Sequence, residues 1–409
     1  MKLKIHFPAV LLLLFYTAVH AQNESRNILF VGNSITYFND MPVLFKDIAN
    51  NKGKNVTTQM HAVGGAGFAD HAANAAVYNL FREKVWHAVV LQPGSGESAG
   101  ATASVNQTIQ RGRMLIDSIK KYSPCAKVLL YEIPYGVPSA NNYATYFTVQ
   151  TRIKDSLTKM ADNLHVPFVP AGESARMHYT AQQDLLLHGT YNDIHPNLNG
   201  SYLVAATMFA AIFQEPVTGT TAFGNVNPNT ATYFHNIADQ VVLPNKPQWR
   251  INTFDLNANF EYQHNNNTVH FTNTAANFTA LEWDFGDGTT SSENNPVHLF
   301  TSGGQKTVTL KAFRNGCVEI IEKQIDLGTL TSAAFTTAGL MLYPNPAGTV
   351  LNITNNEPAS GIRIVNTVGQ EMYRNAQQQH DWKIDVSGYA TGIYFIITDN
   401  QAVYKFIKS

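Results

Sequence analysis

Two residues have side chains that could work as an acyl-transfer pair: Ser34 in "ILFVGNSIT" and His195 in "GTYNDIHPNLNG". A serine hydroxyl becomes a useful nucleophile only when a nearby base takes its proton. An imidazole can accept that proton and then return it to a leaving group. Ser34 follows Gly32 and Asn33 just past an apolar run, which would leave its hydroxyl exposed beside the N–H groups of the next turn. The plain structural alternative is an N-cap for the following helix. His195 is followed by Pro196, which restricts its backbone. Three groups could orient its ring: Asp193, the only local carboxylate; Asn192, one residue further away; or a backbone carbonyl.

Acyl transfer also needs donors for the developing oxyanion. "AVGGAGF" offers Gly64, Gly65 and Gly67, where a backbone N–H can approach a substrate closely, and "VVLQPGSGES" offers the Gln92 amide. The alternatives are a plain turn for the glycines and a loop-satisfying amide for Gln92. Ser95 is no rival nucleophile, because Pro93 stands where a nucleophile elbow requires its first glycine. The glycines of "VGGAGF" also lack dinucleotide spacing and a P-loop lysine, which disfavours a nucleotide site.

These residues must be positioned by elements, and residues 27 to 214 alternate strand and helix signals. "NILFVG", "VTTQMHAVGG", "VWHAVVLQ", "AKVLLYEIP" and "VPFVPAG" read as strands. "MPVLFKDIANNKG", "HAANAAVYNLFREK", "VNQTIQRGRMLIDSIKKY" and "NYATYFTVQTRIKDSLTKMADNL" read as helices, as do the run after His195 and "TATYFHNIADQVVL". Repeated βα units predict a parallel sheet covered on both faces, with ligands beyond the carboxyl ends of its strands. The polar motifs fall at those ends. Pro244 and Pro247 predict a linker over 244–252. Short alternating segments from 253 to 328, and again from 341 to 409, predict two all-β units separated by a second linker over 329–340.

A chain of 409 residues with 44% hydrophobic and 14% charged residues suits several globular domains, and its net charge of −1 gives no electrostatic case for nucleic acid. "MKLKIHFPAVLLLLFYTAVHA" reads as a signal peptide over 1–21, with two lysines, an apolar run too short for a comfortable membrane span and a small-residue cleavage site. No later segment approaches a span. Export permits disulfides, but Cys125 and Cys317 fall in different predicted domains, so two free or buried thiols are expected. Neither spacing nor residue type suggests a metal site.

Residues 22–243 resemble an SGNH (GDSL-like) hydrolase through "VGNSIT", "VGGAGF" and "DIHPNLNGSYLVA". The resemblance implies a flavodoxin-like three-layer α/β/α fold and cofactor-free ester hydrolysis. It implies Ser34 as nucleophile, His195 as base, and the Ser34 N–H with Gly65 as oxyanion donors, Gly67 being the other glycine candidate. Two features depart from the pattern. The third block reads "LQPGS", so Gln92 would replace the usual asparagine donor; the usual Asp-x-x-His position holds Asn192, with Asp193 one residue nearer. A subgroup with "GNS", "LQ..S" and a glycine pair followed by histidine is more similar, and implies that His71 lies near the site; Asn33, Asn192, His71 and Ser95 are the residues expected to line it. A packed or capping role for His71 remains the alternative.

"LEWDFGDGTTSSENNPVHLF" with "GGQKTVTLKA" resembles a PKD domain, an immunoglobulin-like sandwich. Its Asp284 and Asp287 lack calcium-loop spacing and read as a polar turn. "YPNPAGTVLNI" through the C-terminal "GIYFIITDNQAVYKFIKS" resembles the C-terminal sorting domain of type IX secretion in Bacteroidota, which implies the type IX machinery as partner and a secreted or cell-surface location. The combined expectation is a secreted serine esterase removing O-acetyl groups from a polysaccharide or glycan. The alternatives are a lipid or short-chain acyl esterase, and a non-catalytic surface carbohydrate-binding or adhesion protein.

Overall fold

The structure, a computed structural model, describes residues 25–265, 267–328, 340–359, 361–399 and 403–409. The signal segment 1–21 and all but Leu340 of the expected linker 329–340 lie outside the described residues.

Apolar runs without alternation favour strands buried on both faces, and four of them, β1 (Arg26–Gly32), β3 (Ala88–Leu91), β4 (Lys127–Tyr131) and β5 (Phe168–Val169), form one parallel sheet with the more polar, half-exposed edge strand β2 (Val56–Ala62). Their order is β2-β1-β3-β4-β5, the flavodoxin-like arrangement. Register pairs Phe30 with both Met60 and Val90, so β1 lies at the centre of the sheet's motif-bearing half. The switch point lies between β1 and β3, whose loops carry Ser34 and Gln92.

Helices α1 (Ser34–Tyr37), α2 (Met41–Asn51), α3 (Phe68–Ala73), α4 (Ala75–Glu83), α5 (Ser95–Ser98), α6 (Val105–Tyr122), α7 (Tyr143–Leu164), α8 (Ala171–Ala181), α9 (Leu198–Phe213) and α10 (Pro228–Val242) complete this unit. The spacing-predicted helix over "HAANAAVYNLFREK" divides at Asn74, whose side chain accepts the Ala76 N–H and caps α4. Helix α8 was not anticipated. The segment expected as a linker over 244–252 is instead packed: a 3-10 turn runs Leu243–Trp249, and Trp249 and Ile251 are buried in the N-terminal core. Its prolines shape the turn, while the indole Nε1–H donates to the Val241 carbonyl at 2.8 Å.

Two all-β units follow, each with its own core. The first pairs a three-stranded sheet with a four-stranded one, its strands running from Phe260–Asn265 to Cys317–Asp326. Trp283 is fully buried there, and the Asp284 and Asp287 carboxylates cap their own turn, accepting from Gly286 N and Thr289 N. The second unit repeats the three-plus-four pattern from Leu340–Tyr343 to Val403–Lys408. No described helix is long and apolar enough to cross a membrane.

The cysteines correct the expectation of two thiols: Cys125 and Cys317 form a disulfide across 192 residues. Cys125 precedes β4, so the bond fastens the first all-β unit to the amino-terminal ends of the strands. Lys127–Asp255 at 3.0 Å and the tilted His165–Phe254 ring contact reinforce the junction. A cross-link over so long a loop restricts the unfolded chain strongly. Replacing both cysteines by serine is expected to lower stability by about 2–5 kcal/mol, read as a lower urea midpoint. Identical midpoints for the two proteins would refute a structural role for the bond.

Candidate active site

The chain leaves β1 at Gly32 and turns at once into α1. Gly32 has no room for a side chain: a Cβ there would lie 2.6 Å from Gln92 Oε1 and 2.4 Å from Thr36 Oγ1. Asn33 then caps α1 by accepting the Ile35 N–H at 3.1 Å. The same residue reaches sideways, donating from Nδ2 to the Ala66 carbonyl at 2.9 Å. Ser34 therefore begins a helix whose entry is tied to the glycine loop.

Ser34 Oγ lies 2.9 Å from His195 Nε2, and His195 Nδ1 lies 2.7 Å from Asp193 Oδ1. A carboxylate can only accept, so Nδ1 carries the proton and Nε2 is left to accept from the serine. Asp193 Oδ1 also accepts the His195 N–H at 2.9 Å, fixing the loop as well as the ring. That backbone bond is the first cause holding the Asp193 carboxyl below its ordinary range; slight burial opposes it, and the imidazole adds to it. Asn192 is not the orienting group. It is exposed, adopts left-handed φ of 62°, and donates its N–H to the Val137 carbonyl.

Three contacts deliver the His195 loop to the serine. Asn39, in a left-handed turn after α1, donates from Nδ2 to the Pro196 carbonyl at 3.0 Å and to Ser201 Oγ at 2.9 Å. Phe38 stacks on the imidazole, with ring centroids 4.4 Å apart and planes 17° apart. Gly136 lets the loop pack against the segment after β4, since a Cβ there would lie 1.9 Å from the Asp193 carbonyl oxygen. Sequence reasoning missed all three. For Asn39 the available signal was an "Asn-Asp" pair between two helices, a common left-handed turn composition.

The oxyanion candidates separate. The Gly65 N–H and the Ser34 N–H have no acceptor among the hydrogen bonds of the described residues. Gly65 takes φ of +74°, accessible to glycine at little cost. Gly67 is excluded as a donor, because its N–H already binds Asp70 Oδ2 at 2.9 Å. Gly67 is required for space instead: a Cβ would lie 2.4 Å from Glu97 Oε2.

Gln92 must be corrected too. It is fully buried, and its amide is engaged within the protein. Oε1 accepts from Asn33 N at 3.1 Å and Thr36 Oγ1 at 2.5 Å, and Nε2 donates to Asn33 Oδ1 at 2.7 Å. It positions the serine turn and cannot reach a substrate. His71 behaves likewise: it is buried and donates from Nε2 to the Gly32 carbonyl at 3.0 Å. Burial is the main cause pushing its pKa down, which favours the neutral ring. Ser95 begins α5, half-buried, on the same rim.

Glu97, which sequence reasoning passed over, joins two of the site's loops. Its buried carboxylate accepts from Phe68 N at 2.6 Å, Ala69 N at 3.1 Å and Gly94 N at 3.0 Å, and pairs with Arg111 at 3.2 Å. Behind the histidine loop, His188 is buried with Nδ1 on the Tyr179 hydroxyl at 2.7 Å. Its pKa is pushed down to about 4, chiefly by burial, with the Asp193 carboxylate opposing.

Comparison with known proteins places residues 252–320 in the PKD domain model and residues 341–409 in that of the secretion system C-terminal sorting domain. The chain is accordingly a type IX export product, directed to the cell surface or secreted. A stretch of 69 residues is 35% identical to beta-agarase A of Zobellia galactanivorans, covering 16% of this chain and 13% of the agarase. Three solved structures are similar. A DUF4886 family protein from Bacteroides uniformis shows 16% identity over 54% of this chain and 95% of its own, with a TM-score of 0.45. A protein described as a GDSL-like lipase from Parabacteroides merdae shows 14% identity over 46% and 96%, with a TM-score of 0.38. An acetylxylan esterase from Geobacillus stearothermophilus shows 12% identity over 46% and 94%, also with a TM-score of 0.38.

Two predictions follow from the anchors. Glu97→Ala strands three backbone donors and Arg111, so it is expected to cost about 2–4 kcal/mol; calorimetry showing an unchanged Tm would contradict this. For His188, the folded pKa lies below the ordinary 6.5. The unfolded chain therefore binds more protons between those values, and stability falls as pH drops from 6.5 towards 4, by about 3 kcal/mol. Urea titrations of His188→Gln should show a flatter profile over that window; a slope equal to the native one would refute it.

Proposed function

We propose that the N-terminal unit is a serine ester hydrolase, carried by one observation: the Ser34–His195–Asp193 chain of contacts at 2.9 and 2.7 Å. Ser34 Oγ attacks the acyl carbonyl while His195 Nε2 takes its proton. Asp193 holds the imidazole in the required tautomer and stabilises its cation. The Ser34 and Gly65 N–H groups receive the oxyanion, which Asn33 brings within reach by bridging the two loops. The imidazolium then protonates the departing alcohol. A water, deprotonated by the same imidazole, attacks the acyl-enzyme and restores Ser34. Asn33 and Ser95 line this rim.

The substrate we propose is an O-acetylated polysaccharide or glycan. The support is physical and architectural. The triad is open, with the His195 and Asp193 side chains 30% and 44% exposed, which suits a small acyl group on a bulky alcohol. The chain is exported, and a stretch of 69 residues is similar to part of a beta-agarase.

The test is release of p-nitrophenol from acetate and longer acyl esters, followed by acetate release from acetylated glycans. Ser34→Ala is expected to lose activity by at least about 10³-fold. Asp193→Ala should lose far more rate than Asn192→Ala. Well-folded native protein with no activity at any acyl length would overturn the enzyme reading. Rates rising with acyl length would overturn the acetyl reading in favour of a lipid or longer-chain ester. A larger loss in Asn192→Ala than in Asp193→Ala would overturn the assignment of the acid.

A further inference from the structure

Three aromatic rings stand in a row beside the nucleophile. His195 and Phe38 are nearly parallel at 4.4 Å, and Phe38 and Tyr37 stack at 5.6 Å with planes 22° apart. The Tyr37 hydroxyl reaches the glycine loop, 3.3 Å from where a Gly64 Cβ would stand. Both Phe38 and Tyr37 remain partly exposed, so the stack is not core packing.

The backbone that holds these rings is constrained. Directly after Phe38, Asn39 and Asp40 adopt left-handed φ of 53° and 51° in succession. Non-glycine residues avoid that region unless their surroundings over-determine it, and such strain gathers at functional sites. The Asn39 side chain clamps the Pro196 carbonyl, so the turn that presents Phe38 is bonded to the residue after His195.

We infer that Phe38, braced by Tyr37, is a positioning residue for His195, and that its ring face stabilises the imidazolium formed when Ser34 attacks. An aromatic face attracts a cation within about 6 Å of its centroid, and the imidazole lies well inside that limit. The neutral imidazole gains less, so the contact favours the transition state over the ground state. The stack also blocks rotation of the ring away from Ser34. The inference rests on the proposed Ser34–His195 reading and adds one group to it.

The other polar groups facing the imidazole are few. From its own loop come the Asp193 carboxylate at Nδ1 and His188, whose burial keeps it neutral near neutral pH. From α1 come the Ser34 hydroxyl and, behind Phe38, the Tyr37 phenol. No hydrogen bond or ion pair joins Asp40 to His195 among the described residues.

The experiment measures kcat/KM for p-nitrophenyl acetate against pH in the full chain, for native protein, Phe38→Leu and Phe38→Trp, with thermal melts to establish folding. Leucine keeps bulk without a π face; tryptophan keeps the face. Because the ring favours the protonated imidazole, its loss should move the acidic limb of the profile down by about half a pH unit and lower the plateau about three- to tenfold. Phe38→Trp should hold the limb at or above its native position. A Phe38→Leu limb that does not move, or equal shifts in both variants, would overturn the inference. Native protein no more active than Ser34→Ala would overturn the underlying reading instead, so the two failures are distinguishable.

Discussion

The buried amide of Gln92 holds the turn that presents Ser34, and the rest of the candidate site depends on it. It comes from β3 and enters the space that Gly32 leaves vacant at the end of β1. There it receives the first N–H after the strand and returns a donor to Asn33 Oδ1. Such an amide cannot be left half-satisfied inside a protein, because every unpaired group costs about 1–3 kcal/mol. These bonds hold the turn in the conformation that starts α1 at Ser34. Asn33 transmits the constraint to the glycine loop, and Glu97 extends it to α3 and α5. His71 closes the same ring of bonds from the other side, on the Gly32 carbonyl.

The histidine loop meets this rim as a separately built part. It crosses from α8 to α9, and its shape is held from behind by Tyr179 on His188 and by Asn197, which bonds the Leu186 carbonyl. Close approach is granted by the missing side chains of Gly136 and Gly200; at Gly200 a Cβ would lie 2.3 Å from the Leu187 carbonyl oxygen. Asp193 binds backbone and ring of the same histidine through one oxygen, so a two-residue spacing suffices to orient it. The longer spacing would have placed Asn192 there, but that residue is needed for the left-handed turn that bonds Val137.

The alternation of strands and helices was legible because buried parallel strands and amphipathic helices write different periods into the chain. Helix α6 begins at Val105 and ends at Tyr122, matching the run read from its spacing. Ser34 and His195 were legible as a pair because both lie just past predicted strands or before a helix. The role of Gln92 was not legible, since an amide beyond a strand looks the same whether it faces substrate or backbone. Glu97 sits among glycines and serines, a texture that suggests surface, and only the tertiary approach of Gly67 and Gly94 buries it. Pro244 and Pro247 suggested a break in structure, yet the decisive feature was Trp249, whose burial pulls the segment onto α10.

The disulfide could not have been inferred locally, because its partners lie in different folding units and meet only when both are formed. Its position matters for use of the protein. The rim that carries Ser34 lies at the carboxyl ends of the strands, whereas Cys125 lies before β4, at the opposite pole. The disulfide therefore fastens the first all-β unit at the end of the sheet opposite Ser34. The Lys127–Asp255 pair at the same junction lies at the first residue of β4, so charge and covalent bond act on one edge. This arrangement leaves the rim with Tyr37, Phe38 and the glycine loop open to solvent.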